Sequence, residues 1–295
     1  MDNTITIGAR GSELAQVQVR WVSSILERAG LTLKSTIIKT HGDMVLDRPL
    51  AELGIQGVFT KEIEEAMLRR EIDLAVHSFK DVAIDRPKGL KIVAITERED
   101  PADLLVIDKS QLDTDGDLFP LKPNAIVGTS AIRRARQLLA LRQDLEIRDL
   151  RGNVPTRLKK LASKEYSAIF LASAGVERLG LDLSEFHVER LEPKAFIPSP
   201  AQGALAIEMR VDDSRIELIS RVLNHESTAQ AVQLERGLLS KMGGGCTLPL
   251  GAYAEHEDEI WTLHCFWGDD ISNPLWRTAS NTDPSKLIST VIASL

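Results

Sequence analysis

The thirteen residues KMGGGCTLPLGAY (241–253) hold Cys246, one of two cysteines in a chain of 295 residues, directly behind three glycines. A thiolate is a strong nucleophile, and a loop almost without side chains would leave it accessible; an incidental thiol after a glycine helix stop reads equally well at this point. Cys265 differs, because the alternation in WTLHCFW puts it on one strand face with Trp261, Leu263 and Trp267, where a thiol packs as a small hydrophobe. A second group, His77, Ser78, Lys80 and Asp81 in DLAVHSFKDV, lies at and just past the end of an apolar run. Asp81 there can accept hydrogen bonds from N–H groups and stabilise a developing cation beside Lys80, or the four can be a polar strand exit. Arginines form the third group. Arg133 and Arg134 fall in the first turn of the helix begun in VGTSAIRRARQLLALR. A helix N-terminus is already electropositive, so two cations there point to a bound anion, with a solvated polar face as the alternative. The pattern recurs in LEIRDLRGNVPTRLKKL with Arg151 and Arg157, while Arg10 and Arg178 follow other strand-like runs. Guanidinium forks suit planar, bidentate recognition of carboxylate or phosphate.

Composition narrows the classes. The chain carries a net charge of −7, yet residues 131–178 hold eight Arg and three Lys against five acids. An acidic remainder and 4% aromatic residues argue against nucleic acid, which favours basic stripes interleaved with stacking side chains; a small polyanion fits better. No apolar run approaches the roughly 18 residues that span a bilayer, and the polar start MDNTITIGARGSELA lacks a basic region followed by an apolar stretch. A cytoplasmic protein without membrane partners is the expectation. Two cysteines make no disulfide framework, neither sits in a spacing suited to zinc, and no metal site is expected.

The elements that must hold these groups alternate. Ile5–Ala9 reads as a strand and Ser12 as the cap of a helix running through Ala29 to Gly30. LTLKSTIIKT, DLAVHS and GLKIVAIT read as strands, TKEIEEAMLRR as a helix capped by Thr60, and Thr129 with Ser130 as the cap before Arg133. Such alternation predicts α/β packing with largely parallel sheets. REDPADLLV (98–106) and the segment through Pro198 and Pro200 read as crossings between domains, and GALAIEMR as a strand returning to the first sheet. The expected organisation is domain 1 from residues 1–98 plus 199–217, domain 2 from 102–195 with the Arg-rich anion site, and a small α+β domain 3 over 222–295. The first two would flank a hinged, ligand-binding cleft.

In order along the chain, GARGSELA, GVFTKEIEEAML, AVHSFKDV, EREDPAD, VGTSAIRR, LRGNVPTRLKKL, LASAGVERLGL, AQGALAIE and GGGCTLPLGAY resemble the motifs of the porphobilinogen deaminase family, the hydroxymethylbilane synthases. The resemblance spans almost the whole chain. It implies two periplasmic-binding-protein-like α/β domains with a small α+β C-terminal domain. It also implies a transferase of tetrapyrrole biosynthesis of the heme or chlorophyll type, active as a monomer. By matching position, Cys246 would carry a covalent dipyrromethane through a thioether, and four porphobilinogen units would be added to it, each losing ammonia to form an azafulvene-like electrophile, before hydrolysis releases hydroxymethylbilane. Asp81 would be the catalytic carboxylate. Ser78, Lys80, Asp81, Thr129, Ser130, Arg133, Arg134, Arg151 and Gln202 would hold the cofactor. Arg10, Ser12, Arg151, Arg157 and Arg178 would hold the carboxylates of porphobilinogen and of the growing polypyrrole chain.

Departures from the family pattern are few. Ala131 stands where GTSSLRR has a second serine, Gln56 replaces a common lysine, and His41 replaces an Arg or Thr-type residue. SPAQGA, with Pro200 and Ala201, replaces AVGQGA, and the last helix is shorter than in many members. A non-enzymatic two-domain binder of small anions is the alternative function, one that would not need an accessible Cys246; a nucleic-acid module built on the Arg-rich segment is a more distant one.

Overall fold

The computed structural model describes residues 4–39, 60–113, 119–245 and 248–295. In chain order the elements are β1 (Thr4–Ala9), α1 (Glu13–Arg28), β2 (Thr32–Ile37), α2 (Lys61–Leu68), β3 (Leu74–Ser78), β4 (Leu90–Ile95), β5 (Asp103–Ile107), β6 (Ile126–Gly128), α3 (Ile132–Leu141), β7 (Glu146–Arg148), α4 (Val154–Ala162), β8 (Ala168–Ala172), α5 (Ser173–Leu179) and β9 (His187–Leu191). They continue with β10 (Leu205–Arg210), α6 (Ile216–Leu223), α7 (Glu226–Lys241), β11 (Leu250–Glu257), β12 (Ile260–Trp267), β13 (Leu275–Asn281) and α8 (Leu287–Ala293). The strands form two five-stranded sheets with helices, a mixed α/β architecture, and one three-stranded sheet. Two compact units result, one built chiefly from Met1–Glu99 with Gly203–Gln233, the other from Asp100–Gln202 with most of the C-terminal chain.

In the first unit the sheet order is β2-β1-β3-β10-β4. Ser12 Oγ accepts from the Ala15 amide and starts α1, as its sequence predicts. Val19, Val22 and Leu26 recur at helical spacing and bury against Ile5, Ile7, Val76 and Ile207 of the sheet. On the other face α2 packs Ile63 and Met67 over Ile72, Ala75 and Leu90. Thr60 precedes α2 as expected, although its side chain makes no capping hydrogen bond.

The second unit orders its sheet β7-β6-β8-β5-β9. One face buries Leu105, Val127, Leu138 and Phe170, with Phe170 stacked on Phe196 at 5.3 Å between centroids. The other buries Leu150, Leu161, Ile169 and Val176. Antiparallel β11-β12-β13 form the small sheet, with α8 burying Leu287 and Val291. Glu235 of α7 is fully buried, and its two carboxylate oxygens accept from the Ala201 and Ala254 amides at 2.7 and 2.9 Å, tying that sheet to residue 201.

Two expectations need correction. The sheets are mixed: β10 runs antiparallel to both β3 and β4, and β5 antiparallel to both β8 and β9. A buried apolar run carries no signal of strand direction, which is set by where the chain enters the sheet. The cap of α3 is Ala131, with no side-chain bond; Thr129 Oγ1 accepts from the Ala131 amide and Ser130 donates to Leu150 O at 2.6 Å. Those hydroxyls close the turn before the helix and join it to the neighbouring loop.

Candidate active site

In the first unit, β1 and β3 are parallel neighbours with Gly8 opposite Ala75, so their carboxyl ends lie at one sheet edge. Arg10 and Ser12 follow β1 there, and β3 runs directly into a 3-10 turn, Phe79–Asp81. The Phe79 amide donates to Ala204 O at 3.0 Å, the Val82 amide to Phe79 O at 3.2 Å, and Gln18 Nε2 to Ser78 Oγ at 2.9 Å. The turn that carries Lys80 and Asp81 is thus tied to β10 and α1 through its backbone and Ser78. Arg10, Ser12, Ser78, Lys80 and Asp81 are all half-buried. The edge beyond the carboxyl ends of parallel strands is where open α/β sheets hold ligands.

The second unit repeats the arrangement. Parallel β6, β7 and β8 are followed in turn by Thr129 and Ser130, by Arg151 three residues past its strand, and by α5 with its Arg178. Asn153 Oδ1 accepts from the Thr156 amide and caps α4, and Arg157 Nε donates to Gly152 O at 2.8 Å. Gly152 has φ +115°, and a Cβ there would stand 2.8 Å from Thr156 Cγ2, so only glycine fits this turn between Arg151 and the helix.

Arg133 and Arg134 occupy the first turn of α3 as expected, but both are buried and face a group the sequence reading did not single out. Arg133 Nη1 lies 2.7 Å from Asp103 Oδ2 and donates to Ile197 O; Arg134 donates through Nε and Nη2 to Asp103 Oδ1 at 3.1 and 2.7 Å. Gln202 Nε2 adds a bond to the same Oδ1 at 2.9 Å and one to Pro101 O. Burial works to push the Asp103 carboxyl up, but the two guanidiniums outweigh it and hold the group well below the usual carboxylate range. Burial likewise lowers Arg133, with Asp103 opposing it. Asp103 reaches this edge because β5 is antiparallel and its first residue pairs with Ala172, the last of β8. An acid opening an otherwise apolar strand was the available signal.

Gly243, Gly244 and Gly245 all have positive φ, +100°, +61° and +126°. A Cβ at Gly244 would stand 3.5 Å from Ile84 Cγ1. Cys246 itself lies outside the described residues, as do Gln56 and His41. Cys265 is fully buried in the small sheet, and burial pushes its thiol up to about 12, so it is no nucleophile. Among the described residues, no helix is long and apolar enough to cross a membrane.

Two family models match this chain: "Porphobilinogen deaminase, dipyromethane cofactor binding domain" over residues 5–218 and "Porphobilinogen deaminase, C-terminal domain" over 229–287. The porphobilinogen deaminase of Geobacter sulfurreducens is 45% identical over 267 residues, 90% of this chain and 81% of that protein. That of Pelobacter propionicus is 47% identical over 251 residues, 84% and 78% of the two chains. Among solved structures, the methionine-binding protein MetQ aligns over 83% of this chain and 98% of its own, at 12% identity and a TM-score of 0.47.

Proposed function

Because the chain belongs to the porphobilinogen deaminase family, a transferase of tetrapyrrole biosynthesis working with a dipyrromethane cofactor, we propose that Cys246 anchors that cofactor and Asp81 is the catalytic carboxylate. When bound, the dipyrromethane supplies the pyrrole carbon onto which four porphobilinogen units are condensed with loss of ammonia, before hydrolysis frees hydroxymethylbilane. The residues present fit such a group: it bears acetate and propionate carboxylates, and the donors at the two strand edges are guanidinium, ammonium and hydroxyl.

The observation that carries the assignment is the position of Asp81, on a turn fixed by backbone bonds at the carboxyl ends of β1 and β3, with Arg10 beyond the adjacent strand. A carboxylate held there can accept from a pyrrole N–H and face the cation that develops as the substrate amine leaves. A fixed charge needs no reorganisation at that moment, which is what makes such stabilisation effective. Asp81→Asn keeps the shape and removes the charge, and is expected to lower kcat about 100-fold or more. Ser78 and Lys80 beside it, with Thr129, Ser130, Arg151 and Gln202, serve the cofactor. Arg133 and Arg134 serve it with the donors not turned toward Asp103 and Ile197. Arg10, Ser12, Arg151, Arg157 and Arg178 serve the substrate carboxylates.

The proposal keeps the division into residues 1–98 plus 199–217, 102–195 and 222–295, and a cytoplasmic monomer of the heme-type pathway without nucleic-acid or membrane partners. Acidic net charge and the absence of a basic, aromatic stripe support the last point. Family membership does not favour a non-enzymatic anion binder. Intact mass of the purified protein and of Cys246→Ser tests the assignment: an excess of two linked pyrrole units, absent in the variant, is expected. A wild-type chain still unmodified after incubation with porphobilinogen would refute it.

A further inference from the structure

Beneath the turn that carries Asp81 lies a buried charge cluster that the reaction chemistry does not explain. Glu208 of β10 is fully buried, and its Oε2 is 3.0 Å from His77 Nε2. Its Oε1 accepts from Arg86 through both Nε, at 3.1 Å, and Nη2. Arg86 Nη2 also donates to Glu64 Oε1 of α2 at 2.8 Å. His77 precedes Asp81 by four residues and Arg86 follows it by five. One carboxylate therefore grips both ends of the segment 77–86.

Stability is a poor reason for this arrangement. Burying charges costs desolvation that their attraction barely repays, and apolar replacements of buried ion clusters are often no less stable. Arg86 Nη1 is buried without a hydrogen-bond partner among the described residues, which adds to that cost. Burial pushes the Glu208 carboxyl up, yet His77 and Arg86 together hold it below the ordinary range, so Glu208 keeps its charge against burial. What a fixed ionic lattice supplies beyond an apolar patch is direction: the Glu208 oxygens admit one placement of the imidazole and of the guanidinium. Between these two anchors stand Asp81 and Ile84, and Ile84 is the side chain that a Cβ on Gly244, two residues before Cys246, would meet at 3.5 Å.

We propose that Arg86 is a positioning residue for the deaminase reaction: through Glu208 and His77 it fixes the register of segment 77–86, and so of the Asp81 carboxylate and the Ile84 support for the glycine loop. The inference rests on the assignment of Asp81 above. Misplacing a catalytic group by about 1 Å can cost 100-fold in rate without touching substrate binding.

The test uses the full-length protein, its cofactor content measured by intact mass, with Arg86→Met and Arg86→Lys. Arg86→Met keeps an apolar filling while releasing the downstream anchor. It is expected to lower kcat per cofactor-loaded molecule at least 10-fold with KM within about twofold, and Arg86→Lys to recover part of the loss. Hydrogen exchange gives a reading independent of activity: the Phe79 and Val82 amides should exchange at least 10-fold faster in Arg86→Met, with β1 and α1 unchanged. Unchanged exchange and kcat would overturn the proposal, as would a lower Tm with uniformly faster exchange and unchanged kcat. Should Arg86→Met fail to fold, Glu64→Gln loosens the same guanidinium and must show the same local exchange. If the wild type carries no pyrrole mass and no turnover, the assignment of Asp81 fails, and the exchange data still decide whether Arg86 holds the turn.

Discussion

At the scale of residues, a carboxylate without water keeps its charge only if its neighbours supply more than burial removes, and Asp103 meets that condition with two guanidiniums and an amide. The dependence runs both ways, since Arg133 and Arg134 are themselves buried beside the acid they face. Asp103→Asn removes the anion and leaves two buried cations opposed by a neutral amide. It is expected to cost about 3–5 kcal/mol, the usual penalty for breaking a buried pair by deleting one partner, read as a lower denaturant midpoint at unchanged slope. The arginines are visible in the sequence because cations in a first helical turn are anomalous; their counter-charge is not, because it lies 31 residues away and arrives by an antiparallel pairing. Asp81 is legible for the opposite reason: strand end and functional group are adjacent in one motif. Cys265 is equally local, its burial following from alternation along a single strand.

At the scale of elements, the crossings between the units depend on backbone fit. Gly203 has φ +92°, and a Cβ built on it would stand 2.3 Å from Glu99 O, a backbone atom that cannot swing aside. The Glu99 amide also donates to Gly203 O, so the two strands of chain are held together where a side chain would part them. Gly203→Ala should therefore lose more than the roughly 1 kcal/mol of an ordinary left-handed penalty, several kcal/mol in all, seen as a fall in Tm; a change within about 0.5 kcal/mol would mean that the crossing yields freely. Neighbouring Ala201 has φ +63° and is fully buried, so a position that favours glycine holds a methyl inside the core while its amide donates to Glu235. Elements with local signals are readable from sequence: Ser12 before α1, the apolar stripe of that helix, and Asn153 before α4. Those defined by partners are not. β9 alternates half-buried and exposed residues at a sheet edge, which looks like a polar loop until β5 is placed beside it. The antiparallel sense of β10 and β5 likewise exists only in the assembled sheets.

At the scale of the whole molecule, charge is distributed so that folding depends on ionised carboxylates in both units. Asp103 in one, and Glu208, Asp73 and Asp213 in the other, are all held below their ordinary range. Burial opposes ionisation foremost at Asp103, Glu208 and Asp73, where Arg or His partners and the Thr6 amide prevail; at Asp213 the Arg215 bond leads. A group whose folded value is depressed contributes stability that is complete above its unfolded value, near 4, and is lost as pH falls through the folded value. The unfolded chain binds the extra protons, each steepening the decline by about 1.4 kcal/mol per pH unit. Urea midpoints are therefore expected to stay level from pH 7 to about 5 and to fall progressively below about 4.5. Repulsion among surface charges would produce a loss that added salt relieves, because exposed charges are screened within about 10 Å at 0.1 M; protonation of buried pairs resists salt. Asp103→Asn separates the causes further: less stable than wild type at pH 7, it has one fewer proton to take up and should lose less between pH 5 and pH 3. Parallel curves for the two proteins would show that Asp103 titrates alike in the folded and unfolded chains, and a decline already under way at pH 6 would shift the cause from these carboxylates to histidine.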